Sequence, residues 1–438
     1  MLTYDMIVIG FGKAGKTLAA KMANLGKKVA LIERDSQMYG GTCINIGCIP
    51  TKTLIHATEE GLSFQEAMSL KETVVNRLKD KNKTVLEGAG VDLYTAQAYF
   101  TGNKTIQITL GDDEATLEAE IIIINTGAVS NTFPIKGLLE SKNVFDSTGI
   151  QNLEKTPEKM AVIGGGNIGL EFASLYARLG SQVVVYENAS KILGRYEPEA
   201  AKLAQEYMEE DGISFRLGAS VETLANDGEA VVITADGQSD SYDVVLYALG
   251  RKPATENLGL ENTDITLTER GAVEVDDNLE TSVPGVYAVG DVNGGLQFTY
   301  TSLDDFRIVF GHLTGTSNYK RSDRVNVPST LFIKPALAQV GMTEHQAKEA
   351  GLPYKTKSLP VAGMPRAHVN NDLRGLYKVV VNTATKEILG ATLFSTNAEE
   401  IINIIKLAMD NKVPYTYLQN QVFTHPTMAE NLNDVFQI

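Results

Sequence analysis

Residues 4–33 read YDMIVIGFGKAGKTLAAKMANLGKKVALIE. Residues 4–9, apolar except for Asp5, are of strand length and stop at a glycine, the pattern of a buried strand. Gly10-x-Gly12-x-x-Gly15 follows, and apolar residues then recur at helical spacing to about Asn24. A second strand, residues 29–32, ends at Glu33. Strand, glycine turn, helix and terminal acid are the parts that hold a dinucleotide. The glycines let the backbone approach a pyrophosphate, the helix N-terminus faces its negative charge, and the acid takes ribose hydroxyls.

The unit recurs at residues 159–187, KMAVIGGGNIGLEFASLYARLGSQVVVYE. Its strand, residues 160–163, runs into Gly164-x-Gly166-x-x-Gly169, a helix to about Leu179, and a strand over 183–186 that ends at Glu187. The acid stands 23 residues after the first glycine in both copies (33 − 10 and 187 − 164), and the copies lie 154 residues apart (164 − 10). One glycine motif is a weak signal. Two in full context at equal spacing predict two dinucleotide-binding units.

Further along, residues 64–87 read as a helix and 94–108 as hairpin strands. The all-isoleucine strand 121–124 ends in Asn125-Thr126-Gly127, as 244–248 runs into Gly250-Arg251 and 286–289 into Gly290-Asp291. From about residue 327 the pattern changes to strands (330–333, 377–381) and helices (343–350, 398–409) without glycine loops, which reads as a separate α+β domain. At 438 residues with 43% hydrophobic content, the chain has material for several cores, which excludes a disordered or collagen-like protein. A net charge of −15 argues against a surface that tracks nucleic-acid phosphates. No apolar run approaches the about 18 residues of a membrane span, and Lys13 and Lys16 break the apolar start, unlike a signal peptide. With only two cysteines there is no disulfide framework, so the cytoplasm is the expected location.

Both cysteines fall in Gly40-Gly41-Thr42-Cys43-Ile44-Asn45-Ile46-Gly47-Cys48-Ile49-Pro50-Thr51-Lys52. Two cysteines are often just buried small hydrophobes, and a zinc site would lack two ligands. The sharper reading is a redox-active pair. Pro50 suits the first turn of a helix, which puts Cys48 near an N-terminus that stabilises a thiolate, with Lys52 one turn on.

That segment resembles the GGTCxNxGCxPSK motif of the flavoprotein disulfide reductases, the family of glutathione reductase, lipoamide dehydrogenase and mercuric reductase. The resemblance spans the chain, from the first glycine turn through Asn125-Thr126-Gly127, the second turn with Glu171, and Gly290-Asp291 to His425-Pro426-Thr427-Met428-Ala429-Glu430. Within the family, GFGKAGKTLA (10–19), MYGGTCINIGCIPTKTL (38–54), GGLQFTYTSLDDFRIV (294–309) and FTHPTMAENLNDVF (423–436) are similar to the subgroup called hypothiocyanous acid reductases. That subgroup is also described as resistance proteins for reactive chlorine species or copper(II) reductases.

The resemblance implies an α/β fold of two Rossmann-type domains plus a C-terminal α+β dimerisation domain. The expected division is an FAD-binding domain at 1–146, an NAD(H)-binding domain at 147–262, a segment returning to the FAD site at 263–326 and the dimerisation domain at 327–438. Gly10, Gly12, Gly15 and Glu33 would grip the ADP half of FAD, with Gly41, Thr42, Thr126, Gly127, Gly250, Gly290 and Asp291 completing the site. Lys52 and Glu171 would pair beside the flavin. Gly164, Gly166, Gly169 and Glu187 would bind the nicotinamide cofactor. Glu187 argues for NADH, because a carboxylate repels the 2′-phosphate of NADPH, although Lys191 and Arg195 follow closely and leave NADPH possible. Where relatives often carry a flap tyrosine this chain has Asn167.

In the family Cys48 is the flavin-side thiolate and Cys43 the outward interchange nucleophile. His425, oriented by Glu430, is the acid/base and reaches the other subunit's cysteines, so a homodimer is implied. The other four histidines sit in no motif. The sequence ends eight residues after Glu430 without a cysteine tail, and the first helix lacks a glutathione-type arginine. Those features point to a small oxidant, hypothiocyanous acid, reduced to thiocyanate in oxidative stress defence. The alternatives are lipoamide dehydrogenase or a copper(II) or mercuric reductase. No resident metal, nucleic acid or membrane partner is expected.

Overall fold

Branched apolar residues make up Ile7–Ile9 and most of Val29–Glu33, and these two strands pair in parallel and place successive side chains on opposite faces of one sheet. A computed structural model describes residues 1–111 and 113–438, which divide into two compact units. The first comprises Met1–Phe133, Ser147–Leu153 and Leu249–Asp323. In its sheet Leu2–Ile9 lies between Val29–Glu33 and Asp113–Ile124, all parallel. Asp92–Thr95 extends one side, and Val286–Ala288 runs parallel along the end of Asp113–Ile124. Thr105–Leu110 and Ala98–Gly102 complete it as an antiparallel meander. Met6, Val8 and Leu31 bury against Ala14, Leu18 and Met22 of the helix Lys13–Asn24 on one face; Ile7, Ile9 and Ile32 pack into a second core on the other. The sequence thus folds so that Gly10, Asn125 and Val289 meet at the carboxyl ends of adjacent parallel strands. In open α/β sheets that is where ligands bind.

The second unit comprises Pro134–Asp146, Glu154–Ala248 and Arg324–Ile438. Its parallel sheet runs Ile213–Leu217, Gln182–Glu187, Lys159–Ile163, Val244–Tyr247, Val144–Phe145. A three-stranded antiparallel sheet, Val221–Asp227, Ala230–Ala235 and Gln238–Tyr242, was not legible in the sequence, because Ala230–Ala235 is nearly apolar throughout and Gln238–Tyr242 nearly all polar, so neither alternates. The C-terminal region is an antiparallel sheet in the order Ser329–Leu331, Ala336–Gly341, Ile388–Ser395, Leu376–Asn382, Tyr354–Pro360. The helix Ala398–Asp410 buries Ile401, Ile402 and Ile405 on it, and Met428, Leu432 and Phe436 from the chain's last segment join the same core. This agrees with the α+β reading from residue 327, except that the sequence showed two of the five strands.

Candidate active site

The two glycine turns repeat down to single hydrogen bonds. The Gly10 N–H donates to the Ile32 carbonyl at 2.8 Å, and the Gly164 N–H donates to the Tyr186 carbonyl at 2.8 Å. Gly10 has φ +96° and Gly164 φ +110°, a backbone region that side chains rarely adopt. A Cβ on Gly10 would meet the Asn125 carbonyl oxygen at 2.4 Å, and one on Gly164 would meet the Ala248 oxygen at 2.5 Å. Each acid is held in the same way. Glu33 accepts from the Phe11 and Asp35 amides at 3.0 and 3.2 Å. Glu187 accepts from the Gly165 and Ala189 amides at 2.7 and 2.8 Å. A carboxylate has about four lone-pair sites, so both keep capacity for a ribose diol. Burial pushes the Glu33 carboxyl up, and the Phe11 and Asp35 amides oppose it.

The copies differ behind the turn. In the first, the buried Asn125 side chain accepts from the Gly15 amide at 2.9 Å and donates to the Val289 carbonyl at 2.7 Å. A Cβ on Gly12 would strike Asn125 Oδ1 at 2.4 Å. In the second, Ala248 takes that strand position and a Cβ on Gly166 would meet nothing within 4 Å. Asn125 was visible only as a strand end, because its partners lie 110 and 164 residues away.

These features fit the group the resemblance implies. Neither helix, Lys13–Asn24 nor Asn167–Arg178, has a side-chain cap at its glycine N-cap, which leaves N-terminal dipole available to a diphosphate. Gly41 abuts the first turn, since its Cβ would meet the Phe11 oxygen at 2.8 Å, and Thr42 opens a short helix beside it. Gly127 and Gly250, both at positive φ, have open space around them. Between them Ala128–Ser130 pairs with Arg251–Pro253, and the Thr126 hydroxyl donates to the Ala254 carbonyl. Asp291 opens with Gly290 a short 3-10 turn; burial pushes its carboxyl up, Arg251 opposes, and Asp305 adds to the rise. Asp305, itself buried, accepts from the Gly290 amide at 2.7 Å and so holds that turn. No motif marks it, because its partner lies 15 residues away.

Cys43 lies in the helix Thr42–Asn45, and Cys48 begins the helix Cys48–Glu59 with Gly47 as N-cap and Pro50 in the first turn, as expected. Both are thiols. A hydrogen bond to Cys48 is the largest influence on Cys43 and pushes its pKa up; burial and the Cys48 charge add, while Thr299 and Lys16 oppose. These influences favour the protonated form of Cys43. The Thr299 hydroxyl stands 3.7 Å from Cys48 Sγ. Thr299 begins the helix Thr299–Thr314, 251 residues from Cys48, and no local signal could have found it. Lys52 sits half-buried one turn beyond Cys48.

In the second unit Glu171 is buried on Asn167–Arg178 and accepts from the Phe332 amide at 3.0 Å. Asn167 donates to the Tyr196 hydroxyl at 3.2 Å. His425 Nδ1 lies 2.8 Å from Glu430 Oε2, and Glu430 also accepts from the Thr427 amide at 3.0 Å. A carboxylate only accepts, so Nδ1 carries the proton and Nε2 is left for chemistry. The His425 side chain is 67% exposed, so nothing in its own surroundings blocks Nε2 from another surface. Burial works to raise the Glu430 carboxyl, but the bonds from His425 and Thr427 outweigh it and hold it low. Among the described residues no group of three or more His, Cys, Asp or Glu could hold a metal ion, and no helix is long and apolar enough to cross a membrane.

Residues 4–305 match the family described as pyridine nucleotide-disulphide oxidoreductase, and residues 327–436 match its dimerisation domain. The chain is 44% identical over 439 residues, 100% of both chains, to a probable pyridine nucleotide-disulfide oxidoreductase, RclA, of Escherichia coli strain K12. It is 32% identical over 445 residues to the dihydrolipoyl dehydrogenase of Chlamydia muridarum, covering 98% of this chain and 95% of that one. A solved Cu(II) complex of the HOCl-induced flavoprotein disulfide reductase RclA from Escherichia coli superposes with a TM-score of 0.98 at 44% identity, covering 100% of this chain and 99% of that one.

Proposed function

The chain belongs to the pyridine nucleotide-disulphide oxidoreductases, and from that premise we propose that it reduces hypothiocyanous acid with NADH in defence against reactive chlorine species. The family implies FAD and a nicotinamide cofactor. The observation that carries the reading is the full-length likeness, at 44% identity, to an HOCl-induced flavoprotein disulfide reductase. In this reading the domain division stands at 1–146, 147–262, 263–326 and 327–438, the protein is cytoplasmic, and it works as a homodimer.

Gly10, Gly12, Gly15, Glu33, Gly41, Thr42, Thr126, Gly127, Gly250, Gly290 and Asp291 would hold FAD. Gly164, Gly166, Gly169 and Glu187 would hold NADH, and Lys52 and Glu171 keep their flavin-side roles. Bound FAD supplies the two-electron link between NADH and the Cys43–Cys48 disulfide. Cys43, as thiolate, attacks the sulfur of hypothiocyanous acid; hydroxide departs and takes a proton to become water. Cys48 then attacks the thiocyanated Cys43, the disulfide re-forms and thiocyanate leaves. The turnover is NADH plus hypothiocyanous acid to NAD⁺, thiocyanate and water. His425 of the partner subunit, its Nδ1–H fixed on Glu430, exchanges the proton of Cys43 through Nε2.

A second reading, reduction of copper(II) by the same thiols, is supported by the copper complex of the solved relative. The test is NADH consumption by the pure holoenzyme with hypothiocyanous acid, lipoamide, oxidised glutathione, Cu(II) and Hg(II). Hypothiocyanous acid should give the highest kcat/KM. If lipoamide exceeds it by about tenfold or more, a differential of about 1.4 kcal/mol in transition-state binding, the chain is a lipoamide dehydrogenase instead.

A further inference from the structure

Lys16 stands in the first turn of Lys13–Asn24 and is 7% exposed. Its Nζ donates to the Gly40 carbonyl at 2.8 Å, in the loop that leads into Cys43. Among the described residues it makes no ion pair with any carboxylate. Three effects work against a cation here. It is desolvated, it sits at the positive end of a helix dipole, and Lys13 repels it. Burial, then Lys13, pushes its ammonium down to about 8, and the one group that opposes this is Cys43. A buried charge that keeps no carboxylate needs an anion at its working moment.

We propose that Lys16 is a positioning residue for the interchange thiol: buried and held on the Gly40 carbonyl of the loop that leads into Cys43, it is the counter-ion for the negative charge that Cys43 must carry to attack. The hydrogen bond to Cys48 and burial both favour the protonated Cys43 thiol. Nucleophilic attack needs the reverse, with the proton given up by Cys43 Sγ and the charge held there. The groups that influence the Cys43 thiol are Cys48, the Thr299 hydroxyl and Lys16, and of these Lys16 alone brings positive charge. An ammonium beside a thiol raises its thiolate fraction at neutral pH. The inference rests on the proposed dithiol chemistry, but it concerns the thiol itself and not the identity of the oxidant.

The test is iodoacetamide alkylation of Cys43 in FAD-loaded dimers that carry Cys48→Ser, followed across pH. Adding Lys16→Met or Lys16→Gln should slow alkylation at neutral pH by about tenfold or more, one unit in the thiol pKa. The gap should close above about pH 10, where the thiol ionises without help. Bound FAD per subunit should match the parent. Lys16→Arg, which restores charge, should recover most of the rate. Lys16→Gln keeps a donor for the Gly40 carbonyl, so it carries the expectation alone if Lys16→Met does not fold. An unchanged alkylation profile in the Gln variant overturns the proposal. So does loss of FAD with a parental profile in the remaining holoenzyme, which would assign the ammonium to the cofactor's diphosphate. Because the readout is alkylation, failure of the hypothiocyanous acid reading leaves this result intact.

Discussion

Two glutamates 154 residues apart (187 − 33) end up in one geometry, each gripped by two amides from its own turn. That grip fixes the Glu187 carboxylate, and in the proposed reading it meets the ribose 2′-oxygen of the nicotinamide cofactor. A free hydroxyl can donate to it, whereas a 2′-phosphate meets a like charge. NADH should therefore exceed NADPH in kcat/KM by at least about tenfold, about 1.4 kcal/mol, in steady-state assays with either cofactor. Equal use of the two would show that Lys191 or Arg195 overrides the acid. The acids were legible in the sequence because strand, turn and helix fix the spacing from Gly10 to Glu33. Asn125, Thr299 and Asp305 were not, since each acts on a partner that only the folded sheet brings near. In the sequence Lys16 stands out only as a charge that breaks an apolar start, because its burial depends on residues far along the chain.

The two strand–turn–helix units are alike as elements but are packed differently from behind. Asn125 plugs the first turn, so the space beneath Gly12 is already filled, while the space at Gly166 is open. A methyl group at Gly12 must displace a buried amide bonded at both its oxygen and its nitrogen, whereas one at Gly166 displaces nothing in the protein. Gly12→Ala should thus lower thermal stability by about 1–3 kcal/mol and cost FAD retention. Gly166→Ala should leave Tm near wild type and raise KM for NADH. Thermal melts with bound-flavin content and NADH titrations of the two variants decide it. A large Tm loss in Gly166→Ala would mean that the second turn is packed like the first. At this scale the helix at Phe64–Gly88 was legible because Ser63 and Glu66 form a capping box ahead of a long periodic run. The strand Ile388–Ser395 was not, although it is central to its sheet and buried at seven of eight positions. A strand covered on both faces shows no alternation to read.

For the whole molecule, the decisive question is whether one chain holds a complete site. His425 Nε2 projects from an exposed turn, oriented by Glu430, in a region that matches a dimerisation domain. If the site is shared, a Cys43→Ser homodimer lacks the nucleophile at both sites, and a His425→Ala homodimer lacks the acid/base at both. Each should lose about 10²-fold or more in turnover with a disulfide substrate, whose thiolate needs a proton to leave. Consider now a heterodimer with one subunit of each kind. In the shared arrangement one of its sites combines both lesions and is dead. The other combines the intact Cys43 of the His425→Ala subunit with the intact His425 of the Cys43→Ser subunit. Purified heterodimers, made by co-expression with two affinity tags, should then regain about half of wild-type activity, from one working site in two. If His425 serves the cysteines of its own chain, each site keeps one lesion and activity stays at the homodimer level. With hypothiocyanous acid the loss in His425→Ala should be smaller, because only the departing hydroxide takes a proton and thiocyanate, a weak base, leaves without one, whereas both thiolates of a disulfide need one. Recovery with a disulfide together with a mild defect with hypothiocyanous acid would locate the histidine in trans and identify the leaving group it serves.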